Sequence, residues 1–353
     1  MRRKLTKRVD GELRKTKGGS AGAGLVVWVI SVGLALMSMQ APALVTGHLE
    51  AVTPRDVAYE LVEKLGYTQS GPCAVIPVKK EGNRVLYGRF FRAECQGTKL
   101  FLKFHDKPVA QAFLPAISLL ESSPLLSASI LQPIAEFSFR REGRDPDTQW
   151  YCSAYPWVPG DTLRDVLNKM HQPEQEAEYL TGIYRQLGRL LGEMGGAGLV
   201  DADKPLEEMQ SRLIHSDVHV DNLKITPDNR VVILDIDSFT GLEKPLPVQK
   251  GFFEGFLQLI VWAGDHDFFA DTPRSSAWLR VLPAFAEALL TSYCQTLVGK
   301  DKATACVSQI AEMAAGQVLI SHNHSRRYLP EVEPVVSNEE MKRRVDMVFG
   351  PLR

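Results

Sequence analysis

Residues 213–222 read LIHSDVHVDN and place two histidines, two aspartates and an asparagine directly after an apolar pair. Side chains of these types bind metal ions, transfer protons, or do both. A second polar cluster ends the next apolar segment, VVILDID, and residues 227–229 (Pro-Asp-Asn) predict a hairpin turn between the two segments. We therefore expect Asp217, Asn222 and Asp235 to converge on one point.

This combination of side chains is typical of phosphoryl transfer. In such a site, one carboxylate (Asp217) accepts the proton of an attacking hydroxyl group. An amide oxygen (Asn222) and a second carboxylate (Asp235) hold Mg²⁺ against the nucleotide phosphates, because hard cations take oxygen ligands. The sequence thus predicts ATP and Mg²⁺ as cofactors and a hydroxyl-bearing molecule as the acceptor.

The two segments together resemble the catalytic and metal-binding motifs of the aminoglycoside phosphotransferase and choline kinase-like family, relatives of the protein kinases. The residues in register with the first motif are His215, Asp217, His219 and Asn222, and Asp235 follows at a spacing like that of the kinases. The resemblance implies that Asp217 is the catalytic base and that Asn222 and Asp235 are metal ligands. It also implies that the two histidines brace the loop through hydrogen bonds.

Two positions fit the family pattern less closely. Ser216 stands where the family usually has glycine, and serine is small but disfavours the positive φ that glycine permits. Asp237 lies beside the better-matching Asp235, so we assign it a supporting role. The departure at Ser216 leaves open an alternative function, that of a pseudokinase acting as a nucleotide- or partner-binding module.

The rest of the chain predicts a bilobal, protein-kinase-like α+β fold. Residues 51–157 contain five strand-like segments with one helix after the third, which predicts a small, mostly antiparallel N-lobe. The segment YPWVPGD then interrupts the pattern and is typical of a hinge. Residues 158–353 are mainly amphipathic and helical, apart from the catalytic loop and its hairpin, and predict the larger C-lobe.

The N-lobe is expected to supply a lysine for the nucleotide phosphates and an acid that orients it. Lys103 lies at the end of the predicted third strand, and Glu121 is the acidic residue of the helical stretch that follows. Lys103 and Glu121 are therefore the predicted pair. The segment EGNRVLYG resembles the family's phosphate-covering hairpin, with Gly82 and Asn83 at its turn, although an ordinary hairpin fits this segment equally well.

Composition limits the possible partners. The formal net charge is −1, so the chain has no basic excess with which to neutralise the phosphates of a nucleic acid. The five cysteines are scattered without a CxxC pair, which predicts buried thiols rather than disulfides or a zinc site. Residues 21–45 carry no charge and follow a basic segment, so residues 1–50 predict a membrane anchor or a signal peptide, with a buried helix as a further alternative.

An anchor at residues 21–45 places the kinase lobes outside the cytoplasm by the positive-inside rule. The side of the membrane stays open, because a lumenal or envelope glycan kinase needs ATP in that compartment. The Asn323-His324-Ser325 sequon is compatible with a secretory lumen. Acceptor specificity is expected from the C-lobe, around the acidic residues 265–271 or the basic and histidine-containing residues 321–328.

A metallophosphoesterase is a rival enzyme class, with Asp217 and His219 as metal ligands. The segments GDHDF and HNH resemble later motifs of that class. However, Phe268 occupies the position at which the second motif needs a carboxylate. The kinase-like prediction accounts for more of the sequence.

Overall fold

The computed structural model describes residues 44–78, 89–144, 148–170, 172–248, 259–260, 273–328 and 336–353. Three predicted features lie outside these residues: the N-terminal segment up to residue 43, the turn at Gly82 and Asn83, and the acidic residues 265–271. The side chains of Asp237 and of residues 321–328 are also outside the description.

A six-stranded sheet forms the N-terminal lobe. Its strands are β1 (Val45–His48), β2 (Cys73–Pro77), β3 (Phe90–Cys95), β4 (Thr98–His105), β5 (Ala135–Arg140) and β6 (Gln149–Pro156). They are ordered β1-β5-β6-β4-β3-β2, and every pairing is antiparallel except that of β1 with β5. The five predicted strands are present, and β1 is an additional edge strand that begins before residue 51.

The two faces of this sheet differ. One face packs against helix α1 (Pro54–Lys64), whose N-cap Thr53 accepts a hydrogen bond from the Asp56 backbone N–H. The buried apolar residues of this layer include Leu61, Leu102 and Phe137. By strand alternation, the opposite face carries the polar residues of β4, β5 and β6, Lys103 among them.

Two helices interrupt the sheet, and a short segment leads from it to the second lobe. Helices α2 (Ala110–Glu121) and α3 (Pro124–Ser129) join β4 to β5. After β6 come β7 (Asp161–Thr162) and α4 (Leu163–Lys169), which begins with a capping box formed by Thr162 and Asp165. The predicted hinge therefore leads straight into the second lobe.

The C-terminal part is helical around the hairpin that follows the predicted catalytic loop. Its long helices are α5 (Ala177–Ala197), α6 (Pro273–Val298), α7 (Lys300–Tyr328) and α8 (Asn338–Phe349). Short strands lie between α5 and α6: β8 (Gln210–Ser211), β9 (Ile214–His215), β10 (Leu223–Ile225), β11 (Val231–Ile233), β12 (Phe239–Thr240) and β13 (Leu246–Pro247). The expected α+β arrangement, a β-rich N-terminal lobe followed by a helical C-terminal lobe, is confirmed.

Helices α5 and α6 pack closely because glycines line their contact. A Cβ atom on Gly188 would lie 2.2 Å from the Leu289 carbonyl oxygen, and one on Gly192 would lie 2.7 Å from that of Tyr293. Both distances are far below van der Waals contact, so a larger residue at either position forces the helices apart.

Two segments of the described chain are long and apolar enough to cross a membrane by length and composition alone: Ser276–Val298 in α6 and Lys300–Ile320 in α7. Both supply residues to the core of the helical lobe, such as Phe285, Leu289 and Ile310. Core packing therefore accounts for their apolar character. The N-terminal apolar segment, in which the sequence places the anchor, lies almost wholly outside the described residues.

The cysteine prediction is wrong for four of the five residues. Cys73 forms a disulfide with Cys95, and Cys294 forms one with Cys306, whereas Cys152 is a buried free thiol. Spacing along the chain gave no sign of these pairs because tertiary structure creates both. Cys73 and Cys95 are register partners across β2 and β3, and the second bond joins α6 to α7 across the break between these helices. Disulfides form and persist in oxidising compartments.

Removal of the helix-joining disulfide is expected to destabilise the protein. The double substitution Cys294→Ala and Cys306→Ala should lower the free energy of unfolding by roughly 3 kcal/mol, because the bond no longer restricts the unfolded chain. Chemical denaturation with and without reductant measures this difference. A variant with all four paired cysteines replaced by alanine is the control and should show no effect of reductant. Alkylation of all five cysteines in unreduced, unfolded protein would contradict the pairing.

Candidate active site

The catalytic loop lies between β9 and β10 and exposes Asp217. The Asp217 side chain is 45% exposed. The Asn222 side-chain Nδ2 donates to both the backbone oxygen (3.0 Å) and Oδ2 (3.1 Å) of Asp217. Since the Asn222 amide uses its nitrogen for these bonds, its oxygen is the atom suited to a metal ion. The loop thus joins the predicted base to a predicted metal ligand.

Asp235 is brought to the same place by the β10–β11 hairpin. Leu223 pairs with Ile233, and the hairpin continues with a bond of 2.7 Å from the Leu234 N–H to the Asn222 carbonyl oxygen. Asp235 follows directly in the left-handed region, at φ 55°. Its carboxylate forms an ion pair with Lys103 of the N-terminal lobe. The predicted convergence of Asn222 and Asp235 rests on this backbone register.

His215 ties the catalytic loop to the Asp235 loop. Its ring is 2% exposed, and its Nδ1 accepts a hydrogen bond from the Asp217 backbone N–H (3.3 Å). Its Nε2 lies 3.0 Å from the Asp235 carbonyl oxygen, an atom that only accepts. His215 is therefore neutral with its proton on Nε2, and it donates to Asp235. These hydrogen bonds join the two loops, and the bracing role of His215 stays a prediction.

His219 lies next to Asp217, the predicted base. The Asp221 backbone N–H donates to His219 Nδ1 (3.2 Å), which places a proton on Nε2 in the neutral ring. His219 Nε2 lies 3.5 Å from Asp217 Oδ2. Both ring nitrogens thus face groups of the loop itself. This geometry suits a brace for Asp217 better than a metal ligand of a phosphoesterase.

Serine is compatible with the loop at position 216. Its φ is not positive, unlike that of Asp235, so the position does not need glycine. The Ser216 backbone N–H (3.0 Å) and hydroxyl (2.9 Å) both donate to the Ser238 carbonyl oxygen. The departure from the family pattern therefore adds a contact between the two loops.

The structure does not bring Glu121 to Lys103. Glu121 is exposed at the last residue of α2, and within the described chain no hydrogen bond or ion pair joins it to Lys103. Lys103 is 14% exposed and reaches Asp235 instead. Helix α2 contacts the site through Phe113, whose ring lies 5.5 Å from that of Phe239.

Sequence reasoning missed a buried acid, Glu136, on β5. It is 4% exposed, and its Oε2 accepts hydrogen bonds from the Val109 backbone N–H and the Ser153 hydroxyl, each 2.9 Å long. The signal was present, because Glu136 is the one acid inside the segment PIAEFSF. Alternation placed it opposite the apolar face, where a solvent-exposed residue is the usual interpretation.

Basic residues of the C-terminal lobe fix the catalytic loop to the hinge. The Arg164 guanidinium makes two hydrogen bonds to the Asp221 carboxylate, at 2.7 and 3.0 Å. Lys224 Nζ donates to the carbonyl oxygens of Val158 and Gly160, each at 2.9 Å. Burial lowers the pKa of Lys224. The loop is thus held from the hinge side as well as from the Asp235 side.

Several solved structures are similar to this chain at low sequence identity. No protein-family model and no curated protein matches the chain. Among solved structures, it is similar to WaaP in complex with acyl carrier protein, at 15% identity over 73% of this chain and 92% of that chain, with a TM-score of 0.41. The BubR1 kinase domain matches at 11% identity over 74% and 96%, with a TM-score of 0.41.

An aminoglycoside-3'-phosphotransferase of type VIII is similar at 14% identity over 69% of this chain and 98% of that chain, with a TM-score of 0.38. At TM-scores below 0.5, these likenesses carry no conclusion about what this chain binds or acts on. The α+β arrangement described above follows from the chain's own strand order and from the hydrogen bonds between its two loops.

Loss of the Arg164 contact is expected to loosen the catalytic loop. Arg164→Ala should lower the free energy of unfolding by about 1 to 3 kcal/mol, because the partly buried Asp221 carboxylate then loses its two hydrogen bonds from the Arg164 guanidinium. Chemical denaturation measures this change. Arg280→Ala is the matched control, because Arg280 pairs with Glu174 on the surface and its loss should have little effect. Equal effects of both substitutions would contradict a structural role for the Arg164 pair.

Proposed function

We propose that this protein is an ATP-dependent phosphotransferase that moves the γ-phosphate to a hydroxyl group of a small molecule or glycan. The observation that supports it most is the coupling of the catalytic loop to Asp235. One histidine and one backbone bond hold the loop that carries Asp217 and Asn222 against the loop that carries Asp235. Phosphoryl transfer depends on such positioning more than on covalent chemistry by the protein.

Asp217 is the proposed general base. Its carboxylate is accessible, while Asn222 and His219 hold it from two sides. The acceptor hydroxyl gives its proton to Asp217 while its oxygen forms the new bond to the γ-phosphorus. The bond between that phosphorus and the bridging oxygen breaks, and ADP leaves with the electron pair.

Asn222 and Asp235 fit a magnesium site. The Asn222 amide nitrogen is used within the loop, which orients its oxygen as a ligand, and the Asp235 carboxylate already holds a cation, the Lys103 ammonium. Bound Mg²⁺ would neutralise the charge on the nucleotide phosphates. The Lys103 ammonium would then leave Asp235 and contact the phosphates instead. Asp237 keeps its supporting role as a proposal.

The compartment is proposed to be oxidising. The two disulfides, one in each lobe, favour a location outside a reducing cytoplasm. This agrees with export or membrane anchoring through residues 21–45, as the sequence predicts. A hydroxyl-bearing glycan of such a compartment is a suitable acceptor, and ATP must reach the same side.

Mg·ATP binding tests the proposal directly. Mg·ATP at a hundred times its dissociation constant should stabilise the full-length protein by about 2.7 kcal/mol and raise its Tm by several degrees. Asp235→Asn should abolish this magnesium-dependent shift, because the amide lacks the charge that holds the metal ion. Asp203→Asn, an exposed residue in the turn after α5, is the control and should keep the full shift.

The outcomes separate the candidate functions. A shift that is lost only in Asp235→Asn supports the site and justifies a screen of hydroxyl acceptors by transfer of labelled phosphate. Binding without transfer to any acceptor, together with no hydrolysis of ATP, would favour the pseudokinase. Absence of any shift in the wild-type protein would contradict the phosphotransferase proposal.

A further inference from the structure

Lys103, Ser153 and Glu136 form one row across three neighbouring strands. In the β4–β6 register Lys103 lies opposite Ser153, and in the β5–β6 register Glu136 lies opposite the same Ser153. Directly opposed residues of adjacent strands point to the same face of a sheet. All three side chains therefore share the face from which Lys103 reaches Asp235.

The spacing within this row lets the two charged side chains approach each other. Neighbouring strands lie about 4.8 Å apart, so the backbones of Lys103 and Glu136 are roughly 10 Å apart. Both side chains are long, and the small Ser153 between them leaves room above the strand. The Ser153 hydroxyl and the Val109 N–H both donate to Glu136 Oε2, which fixes the carboxylate.

We infer that Glu136 is the positioning residue for Lys103, in the role that the sequence assigned to Glu121. This inference deepens the proposed function and rests on it. A buried carboxylate is costly unless donors or a cation compensate its charge. Glu136 is almost completely buried, and the row across the sheet places the Lys103 side chain on the same face as Glu136.

The geometry also explains why a second acid is needed. Asp235 forms an ion pair with Lys103, and the same carboxylate would bind Mg²⁺ at the proposed metal site. Lys103 then needs another carboxylate to hold its ammonium group towards the phosphates. Glu136 is held by two donors of the N-terminal lobe, and neither of these contacts involves Asp235. Glu121, exposed at the end of α2, lacks such support.

The experiment measures the affinities of the full-length protein for Mg·ATP and for adenosine by calorimetry. Glu136→Gln keeps an oxygen for the Val109 and Ser153 donors but removes the charge. We expect its Kd for Mg·ATP to rise about tenfold, which corresponds to about 1.4 kcal/mol. Its Kd for adenosine, which has no phosphate, should not change. If Glu136 had a purely structural role, Glu136→Gln would lower the affinity for both Mg·ATP and adenosine or for neither.

A double-mutant cycle identifies the residue through which Glu136 acts. In a Lys103→Ala background, Glu136→Gln should weaken Mg·ATP binding no further, because its effect requires the lysine. Glu142→Gln neutralises an exposed acid in the same lobe and is the matched control, expected to bind like the wild type. The Tm without ligand verifies that each variant is folded.

An equal loss of affinity for Mg·ATP and for adenosine in Glu136→Gln would overturn the inference, and so would three further results. They are an unchanged Mg·ATP affinity in Glu136→Gln, a loss that adds fully to that of Lys103→Ala, and a tenfold loss in Glu121→Gln instead. If Glu136→Gln does not fold, Ser153→Ala replaces it. This variant removes one donor to Oε2 and should raise the Kd for Mg·ATP about threefold while leaving the Kd for adenosine unchanged. An unchanged Kd for Mg·ATP would overturn the inference as well.

Failure of the proposed function gives a different pattern. A wild-type protein that binds no Mg·ATP removes the phosphotransferase proposal and the role of Glu136 together. A wild-type protein that binds Mg·ATP, with Glu136→Gln indistinguishable from it, removes the role of Glu136 alone.

Discussion

The hydrogen bond from His215 Nε2 to the Asp235 carbonyl oxygen is the contact on which the arrangement of the site depends. Asp235 adopts a backbone conformation that is unfavourable for a residue with a side chain, so an outside contact must hold it there. His215 provides that contact from the loop that carries Asp217. Because the ring is buried and neutral, the two loops are fixed relative to each other without placing a buried charge between them.

Further contacts extend this constraint to the hinge and to the N-terminal lobe. Arg164 and Lys224 attach the catalytic loop and its hairpin to the segment that links the lobes. Lys103 crosses from the sheet to Asp235. The candidate site therefore contains residues of both lobes, and each of these contacts is charged or charge-assisted, which makes them stronger than neutral hydrogen bonds.

Local sequence was sufficient to predict the hairpin that places Asn222 beside Asp235, because these residues lie close together in the chain and the hairpin turn has a clear signature. It was also sufficient for the five main strands. It was insufficient for Glu136, since alternation identifies the polar face of a strand but not whether another lobe covers that face. The disulfides and the exposed edge strand β1 were missed for a related reason. β1 pairs with β5 far along the chain, and the cysteine partners, 22 and 12 residues apart, meet only once the strands pair and the helices pack.

The buried thiol of Cys152 affects how the chain acquires its disulfides. Burial, and next the charge of Glu136, raise the pKa of this thiol well above its ordinary value. Thiol–disulfide exchange requires a thiolate as the attacking group, so Cys152 is a poor nucleophile once β6 is in the sheet. The folded N-terminal lobe thereby protects the Cys73–Cys95 bond from reshuffling. The odd number of cysteines is thus compatible with a single pattern of pairing, because Cys152 is buried in the folded protein and does not take part in thiol–disulfide exchange.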